Sequence, residues 1–242
     1  MANTVLIFAG GTGQRMNSKT LPKQFLELHG KPIIIYTLEQ FDNHPHVDGI
    51  VVVCLDGWHD YLKKLLRKFD IEKVKAIVSG GETGQESIFN GLSKLAELYE
   101  DGDIVMIHDG VRPLIDAETI SENIACAAQH GSAITVAPPV ETVTVNDAAE
   151  TGLVGSIIDR KNCRMAKAPQ SFLLGNIVKA HMRARQEGKL DFIDSASLMQ
   201  YYGYKLYTVE GKATNIKITT PTDYYLFRAI IDARENQQIM GI

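Results

Sequence analysis

A glycine-rich segment near the start of the chain combines close backbone approach with positive charge. The segment AGGTGQRMNSKTLPKQF, residues 9–25, follows the apolar run TVLIFA and contains no acidic residue. Glycines let backbone N–H groups approach an anion closely, because no Cβ intrudes. The segment therefore predicts a polyphosphate-binding loop at the end of a first strand. The residues concerned are Ala9, Gly10, Gly11, Thr12 and Gly13, with Arg15 and Lys23 as cations.

Two familiar phosphate-binding motifs do not fit this segment. The P-loop requires a Gly-Lys-Ser/Thr sequence, which does not follow the glycines, and the dinucleotide fingerprint fails because Met16 stands where its third glycine belongs. These mismatches disfavour a nicotinamide-dependent oxidoreductase. A tight turn with solvated cations is the alternative interpretation of the segment.

A second candidate site is the motif HDGVRP, residues 108–113, which follows the apolar run DIVMI. Asp109 falls at the carboxyl end of a predicted strand, where open α/β sheets bind ligands. A carboxylate there suits Mg²⁺, which takes one or two carboxylates together with substrate phosphates. Arg112 offers a planar guanidinium for a phosphate. A turn-capping role for Asp109 and a surface ion pair for Arg112 are the alternatives.

Three further residues with suitable chemistry lie later in the chain. Arg160 stands in the segment RKNCRMAK, which contains basic residues and no acidic one, Asp194 lies in DFIDSAS, and Lys217 lies in NIKITTP. Both cations could bind a phosphate. A solvated surface charge is the alternative for Arg160, and a charge that protects an edge strand is the alternative for Lys217.

Apolar runs alternate with segments of helical period, which is typical of βαβ units around a mainly parallel sheet. The pattern predicts an α/β fold in a single domain, residues 1–242. Strands are predicted at 4–9, 49–55, 75–79, 103–109, 132–138 and 204–210. Helices are predicted at 32–41, 58–69, 84–99, 116–130, 176–188, 194–202 and 221–235. Two β-rich runs around the turn NDAAETG break this alternation and predict an extended β-arm at about 138–162.

Composition excludes several classes of protein. The 25 Lys and Arg against 29 Asp and Glu give a net charge of −4, so no global basic surface favours nucleic acid. No apolar stretch approaches the ~18–20 residues of a membrane span, and the start lacks the features of a signal peptide. Three widely spaced cysteines favour neither a disulfide framework nor a zinc site. A soluble cytoplasmic protein without nucleic-acid or membrane partners is expected.

The ordered motifs resemble those of the IspD/TarI-type cytidylyltransferase family across nearly the whole chain. They are GGTGQRM…LPKQFLEL, SGGETGQESIFNGL, HDGVRP, DR…APQSF and NIKITTP. The resemblance implies an enzyme that joins CTP and a small polyol phosphate into a CDP-polyol and releases pyrophosphate. It implies a Rossmann-like sheet of the nucleotide-diphospho-sugar transferase type. It also implies Mg²⁺ or another divalent cation, and a homodimer formed through the β-arm.

The resemblance also implies a role for each matching position. Catalytic residues would be Arg15, Lys23 and Lys217. Residues that bind the nucleotide would be Ala9, Gly10, Gly11, Thr12, Gly13, Gly80, Gly81, Ser87 and Asp109, with Asp109 also on the metal side. The polyol phosphate would contact Arg112, Thr142, Arg160 and Asp194, with Arg160 reaching the partner's active site.

The motifs divide on the identity of the acceptor. The AGG loop, the LPKQFLEL sequence, Trp58 and the lack of a lysine at Thr144 resemble the ribitol-phosphate branch, whereas IDSASLMQYYGY resembles the methylerythritol branch. D-ribitol 5-phosphate, leading to CDP-ribitol for teichoic acid or capsule synthesis, is the first prediction. The alternatives are 2-C-methyl-D-erythritol 4-phosphate, an isoprenoid precursor, and a glycerol phosphate.

Two further functions are open. Gly84 and Ala168 replace the usual arginine and threonine, and Gly84 removes a cation near the nucleotide. Gly84 and Thr144 leave open the first function, that of a non-catalytic nucleotide-binding relative. The second is that of a sugar nucleotidyltransferase that uses UTP or GTP, because such enzymes also begin with a glycine-rich loop and a downstream lysine.

Overall fold

The structure of the chain, a computed structural model, describes residues 1–11 and 21–240. Its strands are β1 (Asn3–Ala9), β2 (Glu27–Leu28), β3 (Lys31–Pro32), β4 (Gly49–Cys54), β5 (Val74–Ser79), β6 (Ile104–Asp109), β7 (Ser132–Ala137), β8 (Val143–Asn146), β9 (Val154–Ile158), β10 (Met165–Leu173) and β11 (Thr208–Glu210). Its helices are α1 (Ile33–Asp42), α2 (His59–Lys68), α3 (Gly84–Leu98), α4 (Ala117–His130), α5 (Leu174–Gln186), α6 (Ser195–Tyr201) and α7 (Pro221–Met240). Short 3-10 helices cover Lys23–Phe25 and Arg160–Asn162.

The described residues form a seven-stranded central sheet in the order β11-β7-β10-β6-β1-β4-β5. Neighbouring strands are parallel except at β10, which runs antiparallel between β6 and β7. The register pairs Phe8 with Asp109 and Ala9 with Cys54. The carboxyl ends of β1, β4 and β6 therefore meet at one edge of the sheet. This confirms the predicted α/β fold with a mainly parallel sheet.

Helices cover both faces of the sheet because its central strands are apolar on both sides. Strands β4 and β7 are buried along their whole length. One core cluster joins the sheet to α1, α2 and α4, and a second joins it to α3, α5 and α6. Burial of each large apolar side chain contributes about 1.5–3 kcal/mol, so these two layers hold the sheet edge rigidly.

Every helix predicted from the sequence has a counterpart in the structure, but the strand predictions need two corrections. Strands β2, β3 and β10 were not predicted, and β10 includes the APQSF motif. Its register shifts between Ala166 and Gln170, next to Pro169, which has no N–H for the ladder. Strand β11 is shorter than the predicted 204–210, because only Thr208–Glu210 pairs with β7.

Residues after β7 leave the central sheet as a separate hairpin. Strands β8 and β9 pair antiparallel with each other, at the positions of the two predicted β-rich runs. Several apolar side chains on and beside this hairpin face solvent, among them Val140 at 77% and Ile157 at 69% exposure. A role of the hairpin as a dimerisation arm remains a prediction. Among the helices the structure describes, none has the length and apolarity needed to cross a membrane.

Candidate active site

Asp109 lies between two cations at the carboxyl edge of the sheet. Its Oδ1 is 2.6 Å from Lys217 Nζ, and its Oδ2 is 2.8 Å from Arg112 Nε. All three side chains are at least partly buried, with exposed fractions of 16%, 39% and 13% for Asp109, Lys217 and Arg112. Three residues that the sequence singled out separately therefore form one charged cluster.

Local backbone geometry positions this cluster. Asp109 is the last residue of β6, and a turn follows in which the Arg112 N–H donates to the Asp109 carbonyl at 3.1 Å. The Lys217 segment docks on this turn, because the Ile218 N–H donates to the Val111 carbonyl at 2.9 Å. The two chain segments are thus joined by backbone hydrogen bonds directly beside the charged side chains.

The charges of the cluster are strongly coupled. Burial alone would raise the pKa of Asp109, but the neighbouring Lys217 and Arg112 charges outweigh it and lower the pKa to about 2. Burial lowers the pKa of the adjacent His108 to about 4, despite its hydrogen bond to the Arg112 carbonyl. At neutral pH the cluster therefore consists of an ionised carboxylate, two cations and a neutral imidazole.

A cavity of about 520 Å³ opens beside the cluster. It is bounded on one side by Asp109, Arg112 and Lys217, and on the other by the N-terminus of α3, the N-terminus of α6 and the loop before α6. This volume lies in the range of small-molecule sites, which are typically about 300–1,000 Å³. The cavity thus offers a polyanion a positively charged wall and an otherwise mixed polar and apolar surface.

Three of the glycines predicted to contact the nucleotide, Gly10, Gly80 and Gly81, lie together at the same edge. The Gly80 N–H donates to the Cys54 carbonyl at 3.2 Å, so the Gly80–Gly81 turn directly follows β5 beside β4. A Cβ at Gly80 would lie 3.1 Å from Ser87 Oγ and 4.0 Å from Gly10 Cα. The Ser87 hydroxyl accepts from the Gly81 N–H at 2.9 Å. Ser87 therefore shapes the turn, and the small glycines keep it close to the first loop.

Lys23 is fixed beside the end of β1 by its neighbours in sequence. It begins the short 3-10 helix, where the buried Gln24 donates from Nε2 to the Ala9 carbonyl at 2.7 Å. Phe25 is buried and stacks on Trp58 with ring centroids 5.1 Å apart. Gly11 is the last described residue before the gap, and Thr12, Gly13 and Arg15 lie outside the described residues.

The other three residues predicted to bind the polyol phosphate do not lie together: one lines the cavity, and two lie beside the hairpin. Asp194 lines the cavity and caps α6, because its Oδ1 accepts from the Ser197 N–H at 2.8 Å. Thr142 and Arg160 are exposed next to the hairpin, and Arg160 donates to the Val140 carbonyl at 3.1 Å. Within the described part of the chain, neither Thr142 nor Arg160 lines the cavity.

Sequence reasoning missed three side chains of the cavity wall. Gln170 donates to Asp194 Oδ2 at 2.8 Å and accepts from the Ala196 N–H at 2.9 Å, so it ties β10 to α6. Lys167 contributes a third cation to the wall. His181 is buried on α5 and stacks on Phe89. Gln170 lies in the APQSF motif and Lys167 ends the basic segment RKNCRMAK, so both lie in segments that the sequence singled out, whereas His181 is one of several scattered histidines.

The described residues offer two places for a divalent cation. His29, Asp232 and Glu235 bring their ligand atoms within 4.8 Å of one another on the surface, outside the cavity lining. In the cavity, Asp109 is the carboxylate paired with Arg112 and Lys217, and each of its oxygens keeps a further lone pair. One such carboxylate fits Mg²⁺ whose other ligands are phosphate and water oxygens.

Fold and site together define a nucleotidyltransferase-like enzyme, with a cationic cavity at the carboxyl edge of a mainly parallel sheet. The family model for IspD, 2-C-methyl-D-erythritol 4-phosphate cytidylyltransferase, matches residues 3–233. The chain therefore belongs to the IspD family of cytidylyltransferases. This family assignment confirms the resemblance found in the motifs.

Individual relatives and a solved structure agree with this assignment. A ribitol-5-phosphate cytidylyltransferase of Vibrio parahaemolyticus is 55% identical over 239 residues, covering 99% of this chain and 100% of the relative. One of Streptococcus agalactiae is 50% identical over 243 residues, covering 100% of both. A 2-C-methyl-D-erythritol 4-phosphate cytidylyltransferase of Clostridium botulinum is 35% identical over 230 residues, covering 95% and 97%. The crystal structure of 4-diphosphocytidyl-2C-methyl-D-erythritol synthase from Anaerococcus prevotii superposes with a TM-score of 0.82 at 25% identity, covering 96% of each chain.

The buried His181 makes stability depend on pH. Burial, and then the Arg185 charge, lower its pKa from the ordinary 6.5 to about 4. As the pH falls, His181 therefore becomes protonated near pH 6.5 in the unfolded chain but only near pH 4 in the folded chain. The resulting contribution to stability is complete above pH 6.5 and is lost as the pH falls through this range.

We expect His181→Leu to flatten this dependence. Between pH 7 and pH 4.5 the wild-type free energy of unfolding should fall by on the order of 2 kcal/mol more than that of the variant. Urea unfolding at the two pH values measures this difference. Equal losses in the two proteins would contradict the lowered pKa of His181.

Proposed function

We propose that the enzyme transfers the cytidylyl group of CTP to D-ribitol 5-phosphate, giving CDP-ribitol and pyrophosphate. The observation that carries the proposal is the pairing of Asp109 with Arg112 and Lys217 at the wall of a cavity that is large enough for a polyol phosphate. The identities of 55% and 50% with ribitol-5-phosphate cytidylyltransferases over the full chain support ribitol as the polyol.

The reaction is a direct displacement at phosphorus. An oxygen of the acceptor phosphate attacks the α-phosphorus of CTP, the bond to the bridging oxygen breaks, and pyrophosphate leaves with those electrons. The acceptor phosphate is already ionised near neutral pH, so the step requires no general base. Catalysis then consists of positioning and of stabilising negative charge.

The cations divide this work between them. Arg112 and Lys217 lie at one wall of the cavity, where they would hold the acceptor phosphate. Lys23, at the end of the first loop, would neutralise charge on the triphosphate together with Arg15. Asp109 is paired with both Arg112 and Lys217 in the absence of substrate. It would therefore orient the two cations for the phosphate and reduce the repulsion between them.

Asp109 is also the residue that would hold Mg²⁺ with the phosphates. The bound cation would supply further neutralisation of the charge that develops on pyrophosphate. The Gly80–Gly81 turn would lie against the cytidine, with its shape maintained by Ser87. A cytoplasmic location, as predicted from the sequence, would suit an enzyme that uses CTP.

Polar groups at the α6 side of the cavity fit an acceptor rich in hydroxyls. Asp194 and Gln170 are hydrogen-bonded to each other at 2.8 Å, and both line the cavity. A carboxylate repels phosphate but accepts hydrogen bonds from hydroxyls. We therefore place the polyol chain, rather than its phosphate, toward Asp194.

A second candidate acceptor is 2-C-methyl-D-erythritol 4-phosphate. The family model carries that name, and relatives so named are 35% identical to this chain. This acceptor also presents a phosphate and several hydroxyls, so the same charged cluster would serve it. The lower identity of these relatives places it second.

Pyrophosphate release with CTP and Mg²⁺ decides between the acceptors. We expect kcat/KM for ribitol 5-phosphate to exceed that for methylerythritol 4-phosphate and for glycerol phosphates by at least about tenfold, a difference of roughly 1.4 kcal/mol in transition-state binding. Lys217→Met serves as the control that should be nearly silent with every acceptor. Preference for methylerythritol 4-phosphate would overturn the proposed substrate but keep the reaction class.

We also propose that the hairpin is a dimerisation arm that carries Arg160 to a second copy of the chain. Exposed apolar side chains on and near the hairpin, such as Val140, Val154 and Ile157, would be covered by such a partner. Thr142 and Arg160 lie beside these side chains and outside the cavity lining of their own chain, as far as it is described. A partner's cavity would therefore be their place of action.

Subunit mixing tests this arrangement. Lys217→Ala and Arg160→Ala should each be nearly inactive alone, because each lacks one cation of every site. Coexpressed with different tags, they should regain about a quarter of wild-type activity, because half of the dimers are mixed and each mixed dimer has one intact site. Isolated mixed dimers that stay inactive would place Arg160 in its own subunit's site, and an active Arg160→Ala variant would show that Arg160 is not required.

A further inference from the structure

Lys167 lies on β10, immediately before Ala168, and forms part of the cavity wall. Its side chain turns toward a group of backbone carbonyls. Nζ is 2.9 Å from the Ala213 oxygen, 3.2 Å from the Asn215 oxygen and 3.4 Å from the Lys212 oxygen. An ammonium group has three hydrogens to donate, so these three carbonyls can use all of them.

These carbonyls belong to the segment that leads to Lys217. Residues 212–217 form neither helix nor strand, so their carbonyls must find other partners. Arg112 Nη1 donates to the Asn215 oxygen at 3.0 Å, and Asn215 Nδ2 donates to the Ala168 oxygen at 2.8 Å. Lys167 and Asn215 together attach this segment to β10, while Arg112 attaches it to the charged cluster.

The position of Lys167 is electrostatically unfavourable without these carbonyls. Its side chain is half-buried, and burial, followed by the charge of Arg112, lowers its pKa. A third cation near Arg112 adds repulsion to a site that already has two positive charges. The three carbonyl contacts offset this repulsion. They stabilise the position of the Lys167 ammonium and, at the same time, the position of the segment that carries the carbonyls.

We propose that Lys167 is a positioning residue for Lys217. By donating to three carbonyls, it fixes residues 212–217 so that the Lys217 ammonium reaches Asp109 and, in the reaction described above, the acceptor phosphate. The catalytic part of this inference rests on the proposed function, whereas the structural part does not. In this arrangement Lys167 directs its hydrogen-bond donors to the protein and leaves the phosphate to Arg112 and Lys217.

Hydrogen exchange tests the structural part without any substrate. Lys167→Met keeps an unbranched side chain and removes the donors, so the hydrogen-bonded amides of Asn215, Ile216 and Ile218 should exchange at least about tenfold faster than in the wild type. Lys205→Met, which changes an exposed lysine outside the cavity lining, is the matched control. Lys167→Arg keeps donors and should restore most of the protection. Unchanged exchange in folded Lys167→Met would overturn the proposal. If Lys167→Met does not fold, the same measurement is made on Lys167→Gln.

A double-mutant cycle tests whether Lys167 acts through Lys217. Lys167→Met should lower kcat about 10- to 100-fold, because misplacement of a catalytic group by about 1 Å has effects of this size. The KM for CTP should stay within about twofold, because the cytidine side of the site is untouched. In a Lys217→Met background the same change should have almost no further effect on kcat.

The possible outcomes separate the two proposals. Effects on kcat that multiply in the double variant would mean that Lys167 contacts the substrate itself, which overturns the positioning role. A wild-type enzyme that is silent with every acceptor would overturn the proposed function, and hydrogen exchange alone would then decide the role of Lys167.

Discussion

The site depends on the neutralisation of Asp109 by Arg112 and Lys217. The carboxylate is almost buried, and a buried charge is stable only when it is paired. Its partners come from the turn after β6 and from a segment about a hundred residues later, so the pairing requires the completed fold. Removing Asp109 would leave two cations uncompensated in a poorly solvated place, whereas removing either cation would leave Asp109 with a single partner. In the proposed reaction, the same two cations would bind a phosphate near neutral pH.

The sheet topology brings the rest of the site to this cluster. Parallel strands β1, β4, β5 and β6 bring Gly10, the Gly80–Gly81 turn and Asp109 to one edge. Antiparallel β10 enters from the hairpin at that edge and contributes Lys167 and Gln170. Strand β10, the reversed strand of the described central sheet, therefore connects the exposed hairpin with the charged cavity.

Sequence reasoning recovered the elements with strong local periodicity and the residues that carry distinctive motifs. Asp109 could be placed because a long apolar run fixes the end of β6, and the motifs around Arg112 and Lys217 carry the family resemblance. Strand β10 was missed because Pro169 and the polar residues around it disrupt the alternation expected of a strand. The role of Lys167 could not be predicted, since its partners lie about 45 residues away and are backbone carbonyls, which leave no trace in the sequence.

The most direct test of this account is a crystal structure with ribitol 5-phosphate and a non-hydrolysable analogue of CTP. The account predicts the acceptor phosphate between Arg112 and Lys217, with one of its oxygens about 3–3.5 Å from the α-phosphorus and in line with the leaving oxygen. The cytosine should lie at the Gly80–Gly81 turn. Binding of both ligands away from the Asp109 edge of the sheet would contradict it.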